Sequence, residues 1–441
     1  LEQPGQLWAR AEESRRQAAL LAAPLLPWTP VEQKWGAWEK EEEAQAQEQA
    51  ALLVELSVEQ ALGGVLSLAP ELPQAHAALA DLHRARLERA EARREPQEAL
   101  RWEQLLRQHD RGRHQRWLSA EAFVSITTNP TGAEVWARPR QLRLRRMEWG
   151  EAVFLGRAPL ERCRLGRGSW LLELRHPERP TVAYPLFLGR GEHWDCCPPG
   201  EKEPLPIYLP GAAEYGAEDC YVPAGWALLG GDLLAPDALP ACRRWIGGFW
   251  MRRFPVRSGE YRAFLEALLR EGRREEVERY LPQEQPSPDA PARPVWLVEG
   301  ERVLLRSEAS GQPWTEQHPV SLIDWHAAMA FADDLAARTA LPWRLPHDLE
   351  WEKAIRGVDG RFFPWGDHYE PTRAAVAESS ATPPMRQVVD SYPEDCSVYG
   401  VRGGTGNVRE WCRSHYQRLP PEELRLRVEL EREPELLRMG R

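Results

Sequence analysis

The sequence is poor in lysine, asparagine and methionine. Only four of its 57 cationic Lys and Arg residues are lysine, asparagine occurs twice and methionine five times. That bias fits GC-rich coding or adaptation to heat, and names no chemistry. No apolar run reaches the ~20 residues of a membrane span. The nearest, Ala18 to Trp28, is short and broken by Pro24 and Pro27, so no span is expected in this chain. The start at Leu1 lacks the charged and apolar regions of an export signal, and a cytoplasmic setting is the expectation. The missing initiator methionine suggests a fragment or processed piece, whose absent N-terminus could carry such a signal.

Positive charge is also in deficit. A net charge of −10 argues against a general nucleic-acid binder, which needs a basic face for phosphates. The basic run Arg138 to Arg146 is a local exception, expected to be a solvated strand edge or loop. The seven cysteines (163, 196, 197, 220, 242, 396 and 412) show no CxxC spacing. A structural zinc site is therefore not expected, and free buried thiols in a reducing compartment are. Gly403, Gly404 and Gly406 lack the strand-before, helix-after context of a phosphate loop.

What is present falls into three parts: an N-terminal helical segment (1–120), a small all-β module (121–206) and an irregular α+β region (207–441). Together they make a multidomain α+β chain. In the first, Glu39 to Leu56 is rich in Ala, Glu, Gln and Leu and favours a continuous helix. From Ala61 follow a helix, a Pro-containing turn at Ala69 to Pro73 and an Ala-rich second helix, which resembles one tetratricopeptide unit. A single unit cannot stack into a solenoid, so a helical stalk and a peptide-binding groove both stay open. A further helix is expected over Glu98 to Arg107. In the second part Phe123 to Thr128 alternates with strand periodicity, the turn Asn129 to Gly132 follows, and Ala133 to Trp136 resumes a strand. With Pro130-Thr-Gly-Ala133 at its turn, this order resembles a PEGA domain, which implies a recognition module.

The third part is organised around Arg344 to Gly366, RLPHDLEWEKAIRGVDGRFFPWG. Leu349, Trp351, Ala354 and Ile355 lie close to one helical face, whereas Asp348, Glu350, Glu352 and Lys353 mostly fall on the other. Pro346 precedes the first turn, and Gly357 sits where a left-handed C-cap belongs. His347 stands at the capping position and should weaken the capping box with Glu350. Helices are also expected at Glu260 to Leu269 and Asp324 to Arg338. A loop is expected from Gln283 to Pro294, and a charged, Leu-rich helix from Pro420 to Met439.

Arg344, Leu345, Pro346, Glu350, Trp351, Glu352, Ala354, Arg356, Gly357, Pro364, Trp365 and Gly366 match the signature of the sulfatase-modifying-factor family, whose members include formylglycine-generating enzymes. Four further blocks resemble that family in the same order: Val222 to Gly225 with Gly230; Phe254 to Val256 with Tyr261, Phe264 and Leu265; His318 to Val320 with Asp324, Trp325 and Ala327; and Gly400 with Gly406, Asn407, Val408, Glu410 and Trp411. The resemblance implies an irregular C-type-lectin-like fold. In enzymatic members it implies a copper-binding cysteine pair that oxidises a substrate cysteine to formylglycine, and soft thiolates suit Cu(I). The family places that pair downstream of the Asn407 block, past Arg441, so Cys396 and Cys412 are not candidates and no catalytic residue is assigned.

The resemblance also implies a calcium site, with carbonyls of Gly406 and Val408 and the Glu410 carboxylate. Gly403 stands where the family has a side-chain ligand, and Asn407 is expected to brace the turn. The competing expectation is a Glu410 that satisfies backbone donors or pairs with Arg409 or Arg413. His318 and His347 read as structural, and His109 and His114 do not match the three-histidine spacing of ergothioneine-type relatives. The arrangement of parts resembles the C-terminal extensions of bacterial serine/threonine kinases. No kinase motif occurs here, so such a domain would precede Leu1. The expectation is a non-catalytic sensory region for an unknown protein or peptide ligand. The alternatives are a formylglycine-generating oxidase cut short and, more weakly, a scaffold that displays variable sequence.

Overall fold

Helix-forming composition yields helix throughout the N-terminal segment. The computed structural model describes residues 3–414, apart from 23, 24, 26–28, 94, 120, 233, 234, 236–240, 285–292, 307–313 and 381–385, together with the backbone of Leu437–Met439. Helix α1 (Pro4–Ala22) packs along α2 (Val31–Leu68), α3 (Pro73–Ala92) packs on α4 (Pro96–His109), and α5 (Gln115–Leu118) is a single turn. The turn between α2 and α3 lies where expected. The helix entering it has 38 residues, longer than the ~34 residues of a whole tetratricopeptide repeat. That length departs from a single tetratricopeptide unit.

By length and composition α2 is apolar enough to cross a membrane. That departs from the expectation of no span, which rests on unbroken apolar runs rather than on average hydropathy; the same helix also carries a buried charge. Glu55, 1% exposed, accepts hydrogen bonds from Trp8 Nε1 (2.9 Å), Arg86 Nε (3.0 Å) and Arg89 Nη2 (2.6 Å).

The second part is a β module with two sheets. Strands β1 (Glu121–Ile126), β6 (Leu160–Gly166) and β9 (His193–Trp194) form one, in the order β6-β1-β9. The other runs β4-β3-β7-β8, with β5 also on β3: β3 is Glu134–Arg143, β4 Arg146–Trp149, β5 Val153–Arg157, β7 Gly168–His176 and β8 Arg179–Leu188. Alternation puts Ala122, Val124 and Ile126 into one core with Val135, Leu172, Leu174 and Leu186. The short strands β2 (Thr128–Asn129) and β10 (Ile207–Tyr208) pair in parallel, and Ile207 and Leu209 enter the same core. The β module thus reaches slightly past the expected boundary at residue 206, because the pairing with β2 outlasts the composition change.

In the third part β11 (Asp219–Val222) pairs with β14 (Phe249–Arg252), and β12 (Gly225–Leu229) with β13 (Cys242–Ile246), all antiparallel. Helices α6 (Ser258–Arg270), α7 (Arg274–Tyr280), α8 (Trp325–Thr339) and α9 (Asp348–Arg356) carry much of its regular structure. Helix α7 was not legible in the sequence. The core splits in two. Tyr261, Phe264, Leu265, Trp296, Trp314 and Phe331 fill one half, and α9 packs Leu349, Ala354 and Ile355 against β11, β12 and β14 in the other.

Several expectations need correcting. The basic run Arg138 to Arg146 is not simply solvated. Arg138 pairs with Glu173 at 2.6 Å, and Arg140, with its side chain 2% exposed, pairs with Asp359 of the third part at 2.6 Å. Strand pairing turns alternate residues of β3 to opposite sides, so only some members of the run face water. Of the helix expected over Pro420 to Met439, residues 420–436 lie outside the described residues, and Leu437–Met439 is a strand beside β14. In the expected loop, Gln283–Glu284 pairs with Arg293–Pro294, while 285–292 lie outside the described residues.

Candidate functional site

The site is built on α9 and on the turn Arg402 to Trp411 that packs beside it. Arg344, just before α9, makes a two-pronged ion pair with Glu350 (3.0 and 2.8 Å). The same Glu350 carboxylate accepts the His347 backbone N–H at 2.7 Å. Half of the capping box thus survives, because that half needs only the residue at the third helical position. The His347 ring reaches Ser414 Oγ instead, at 3.2 Å. Gly357 closes the helix with φ +81° and ψ −146°. The positive φ explains a glycine here, although the residue is extended rather than left-handed helical.

Lys353 overturns the simple two-faced reading of α9. It is 1% exposed, and its Nζ donates to the carbonyls of Pro223 (2.7 Å), Gly225 (3.2 Å) and Ile246 (3.3 Å). Burial pushes its pKa down to about 7. The long stem lets a residue on the polar side of the helical wheel bend beneath its neighbours, where it ties together the ends of β12 and β13. Next to it, Glu352 accepts the Gly230 N–H at 2.7 Å and also pairs with Arg356. Burial raises the Glu352 pKa.

The turn Arg402 to Trp411 is held by its own side chains. Asn407 has φ +71°, a region that asparagine tolerates better than most residues. Its amide clasps the backbone of Gln387, accepting from its N–H (3.0 Å) and donating to its carbonyl (2.9 Å). Asp395, 1% exposed, accepts from Thr405 N–H (3.0 Å) and Thr405 Oγ1 (2.8 Å). Gly406 sits so close to Ala375 that a Cβ would lie 2.3 Å from its carbonyl oxygen. Glu410 accepts the indole N–H of Trp351, and Trp411, half exposed, donates to the Ile323 carbonyl at 3.0 Å.

The corner at Phe363 to Gly366 faces the β module. Phe363 and Trp365 stack 5.1 Å apart, and Trp365 Nε1 donates to the His368 carbonyl at 2.8 Å. The Trp365 carbonyl accepts Met147 N–H at 2.8 Å, and a Cβ on Gly366, at φ +138°, would lie 2.9 Å from Met147 Cγ. The β3–β4 hairpin therefore docks on this corner, and glycine is needed for that approach.

These geometries bear on the metals that the resemblance implies. Calcium takes six to eight oxygens. Here the Gly406 carbonyl accepts Val408 N–H at 2.9 Å, Glu410 is engaged by Trp351, and Gly403 offers no side chain. Among the described residues no group of three His, Cys, Asp or Glu could hold a metal ion. Gly406, Val408 and Glu410 do not make a calcium site by themselves. As for the thiols, burial raises the pKa of Cys163, Cys242 and Cys196, the last to about 11. His318 is structural: its Nδ1 accepts Thr315 N–H at 3.0 Å.

Arg344, Glu350, Trp351, Arg356, Asn407 and Trp411 thus lie along one helix and one turn, whereas Trp365 lies on the corner that faces the β module. Lys353, Asp395 and the Arg140–Asp359 pair escaped sequence reading. Lysine in an amphipathic helix normally signals solvent, and residues 219 positions apart carry no local signal of contact.

Residues 209–430 match the family described as sulfatase-modifying factor enzyme 1-like domain. Uncharacterized protein YfmG of Bacillus subtilis (strain 168) is 26% identical over 200 residues, 40% of this chain and 36% of that protein. Serine/threonine-protein kinase Pkn1 of Chlamydia trachomatis serovar L2 is 28% identical over 182 residues, 41% of this chain and 25% of that one. Formylglycine-generating enzyme of Thermomonospora curvata is 29% identical over 220 residues, 43% of this chain and 69% of the enzyme. The match thus spans about a third and about a quarter of the first two relatives.

Proposed function

The chain belongs, through residues 209–430, to the sulfatase-modifying factor enzyme 1-like family, and on that footing we propose that it is a non-catalytic recognition region of a signalling protein. The observation that carries this reading is how the polar residues of the signature, and Asp395 beside them, are used. Glu350 holds Arg344 and the start of α9, Asn407 clasps Gln387, Asp395 holds Thr405, and Glu410 holds Trp351. Each of these groups braces a loop, which supports a scaffold role for this surface. What the bracing leaves is a rigid scaffold joined to a β module and a helical stalk, suited to present a surface to a protein or peptide ligand. The kinase among the relatives supports a place beside a kinase domain in a longer polypeptide, on the cytoplasmic side.

A second reading is favoured by the formylglycine-generating enzyme, 69% of which is matched. In that reading the full-length protein oxidises a substrate cysteine with copper and oxygen. The two separate in one experiment: the full-length protein is incubated with a Cys-x-Pro-x-Arg peptide, oxygen and copper, and the peptide is weighed by mass spectrometry. Unchanged peptide is expected. A mass change consistent with formylglycine would overturn the recognition reading.

A further inference from the structure

Three histidines meet on the seam between α3 and α4, none of them part of the site above. His76 and His83 lie on α3, and His109 ends α4. His76 Nδ1 and His109 Nδ1 are 3.0 Å apart, and His76 Nε2 is 2.8 Å from the carbonyl of Pro70, in the turn between α2 and α3. His83 is 1% exposed, lies against Trp102 with ring centroids 5.8 Å apart, and has an Nδ1 without a hydrogen-bond partner. The ring of His109 lies 5.6 Å from that of His83.

The protons on this pair follow from its partners. A carbonyl accepts only, so His76 Nε2 carries hydrogen and donates to Pro70. In the neutral ring its Nδ1 is then bare, and the 3.0 Å contact requires the hydrogen on His109 Nδ1. His109 keeps a bare Nε2, which can take one further proton without disturbing the contact. A second proton has only His76 Nδ1 to go to. It would set two N–H groups and two positive rings against each other, with no acceptor between them.

The surroundings oppose that second charge. Arg111 Nη2 is 3.5 Å from His76 Nε2 and opposes charge on His109, while Arg86 and Arg101 add positive charge beside His83. Glu59 on α2 is the carboxylate that favours protonation of His109 and His83, but it is already engaged by Arg86 at 2.6 Å. Glu71 pairs with Arg111 at 3.4 Å, and Asp81 with His114 and Arg113 at 2.7 and 3.0 Å. Asp110 accepts the His114 N–H. Burial disfavours the charged form of His109 and pushes His83 down to about 4.

We propose that His76 and His109 form a proton-operated latch, which fastens the end of α4 to the α2–α3 turn and releases it when both rings are protonated. Release uncovers His83, whose buried Nδ1 then takes a proton in water, so opening is cooperative. Mild acid would loosen the elbow of the stalk while leaving the third part folded. This inference rests on the stalk alone and does not depend on the reading of residues 209–430.

Hydrogen exchange of the full chain, corrected for intrinsic rates, tests it at about pH 7.5 and about pH 5. Amides at 66–76 and 103–109 are expected to exchange about tenfold faster at the lower pH, with little change in α9. His109→Gln keeps an N–H donor for His76 and cannot titrate, so its acid response in those segments should vanish. An unchanged wild type, or a His109→Gln that responds as wild type does, overturns the latch. Selective ¹⁵N-histidine NMR of the wild type decides without a variant. His76 should carry its proton on Nε2, and the pair should titrate in two separated steps. Independent single-step titrations of the two rings would overturn the proposal even if exchange changes.

Discussion

Arg140 Nη1 of β3 and Asp359 Oδ2, just past α9, lie 2.6 Å apart with both side chains almost wholly buried. Asp359 also holds Arg361 by two hydrogen bonds of 2.7 Å, and Trp149 of β4 lies near both guanidinium groups. A charge from the β module is thus neutralised inside the third part. The two parts are not beads on a string.

Removing the anion should therefore hurt more than removing either cation. Asp359→Ala leaves two arginines buried together and is expected to cost about 3–5 kcal/mol. Arg140→Met leaves Asp359 still paired with Arg361 and should cost roughly half of that or less. Urea unfolding of both variants checks the order, and equal losses would remove Asp359 from the centre of the joint.

Lys353 links stability to pH with a definite sign. Its folded-state pKa, pushed down to about 7, lies below the ~10.4 of an unfolded chain. Between those values the unfolded state binds more protons, so this group makes stability rise with pH across that window. Below about pH 7 its full burial cost is present. Lys353→Met should flatten that rise. It should also strip three carbonyls of their donor, for a net loss of about 2–4 kcal/mol at pH 7. Denaturant midpoints at several pH values between about 6.5 and 10 read both effects.

Asn407 combines a left-handed backbone with a clasp on Gln387. Asn407→Gly keeps the backbone and loses the clasp, for about 1–2 kcal/mol. Asn407→Val should cost more, because a β-branched residue resists positive φ. Hydrogen exchange at 386–389 and 403–408 measures it, and a valine variant as protected as the glycine one would count against the role of φ.

Glu410 gives a metal test. If its task is to accept the Trp351 indole, Glu410→Gln should be near neutral, and Glu410→Ala should leave a partly buried donor unpaired at about 1 kcal/mol. Millimolar calcium should not shift the melting temperature of the wild type relative to chelator. A calcium-dependent rise lost in Glu410→Gln would restore the metal reading of Gly406, Val408 and Glu410.

Local chemistry was enough to read the helices of the stalk, the alternation of β1 and β3, α6, α8 and α9, and the blocks that carry the family. Propensity, periodicity and caps act over a few residues and leave their pattern in order along the chain. Asn407 was legible as a turn brace through the family-resembling block that contains it, and asparagine tolerates the positive φ found there. Its partner Gln387 was not. Lys353 was misread because a helical wheel records direction, not the depth to which a long side chain can bend.

Only tertiary packing brought Arg140 to Asp359, Met147 to Gly366, and His76 to His109. A residue's charge is written in its side chain, whereas its solvation and its partner depend on which distant segment covers it. The same arginine is a solvated edge when its strand is considered alone and a buried cation once the third part folds over it. Likewise Glu410 changes from a ligand candidate to an indole acceptor through the placement of Trp351, 59 positions away.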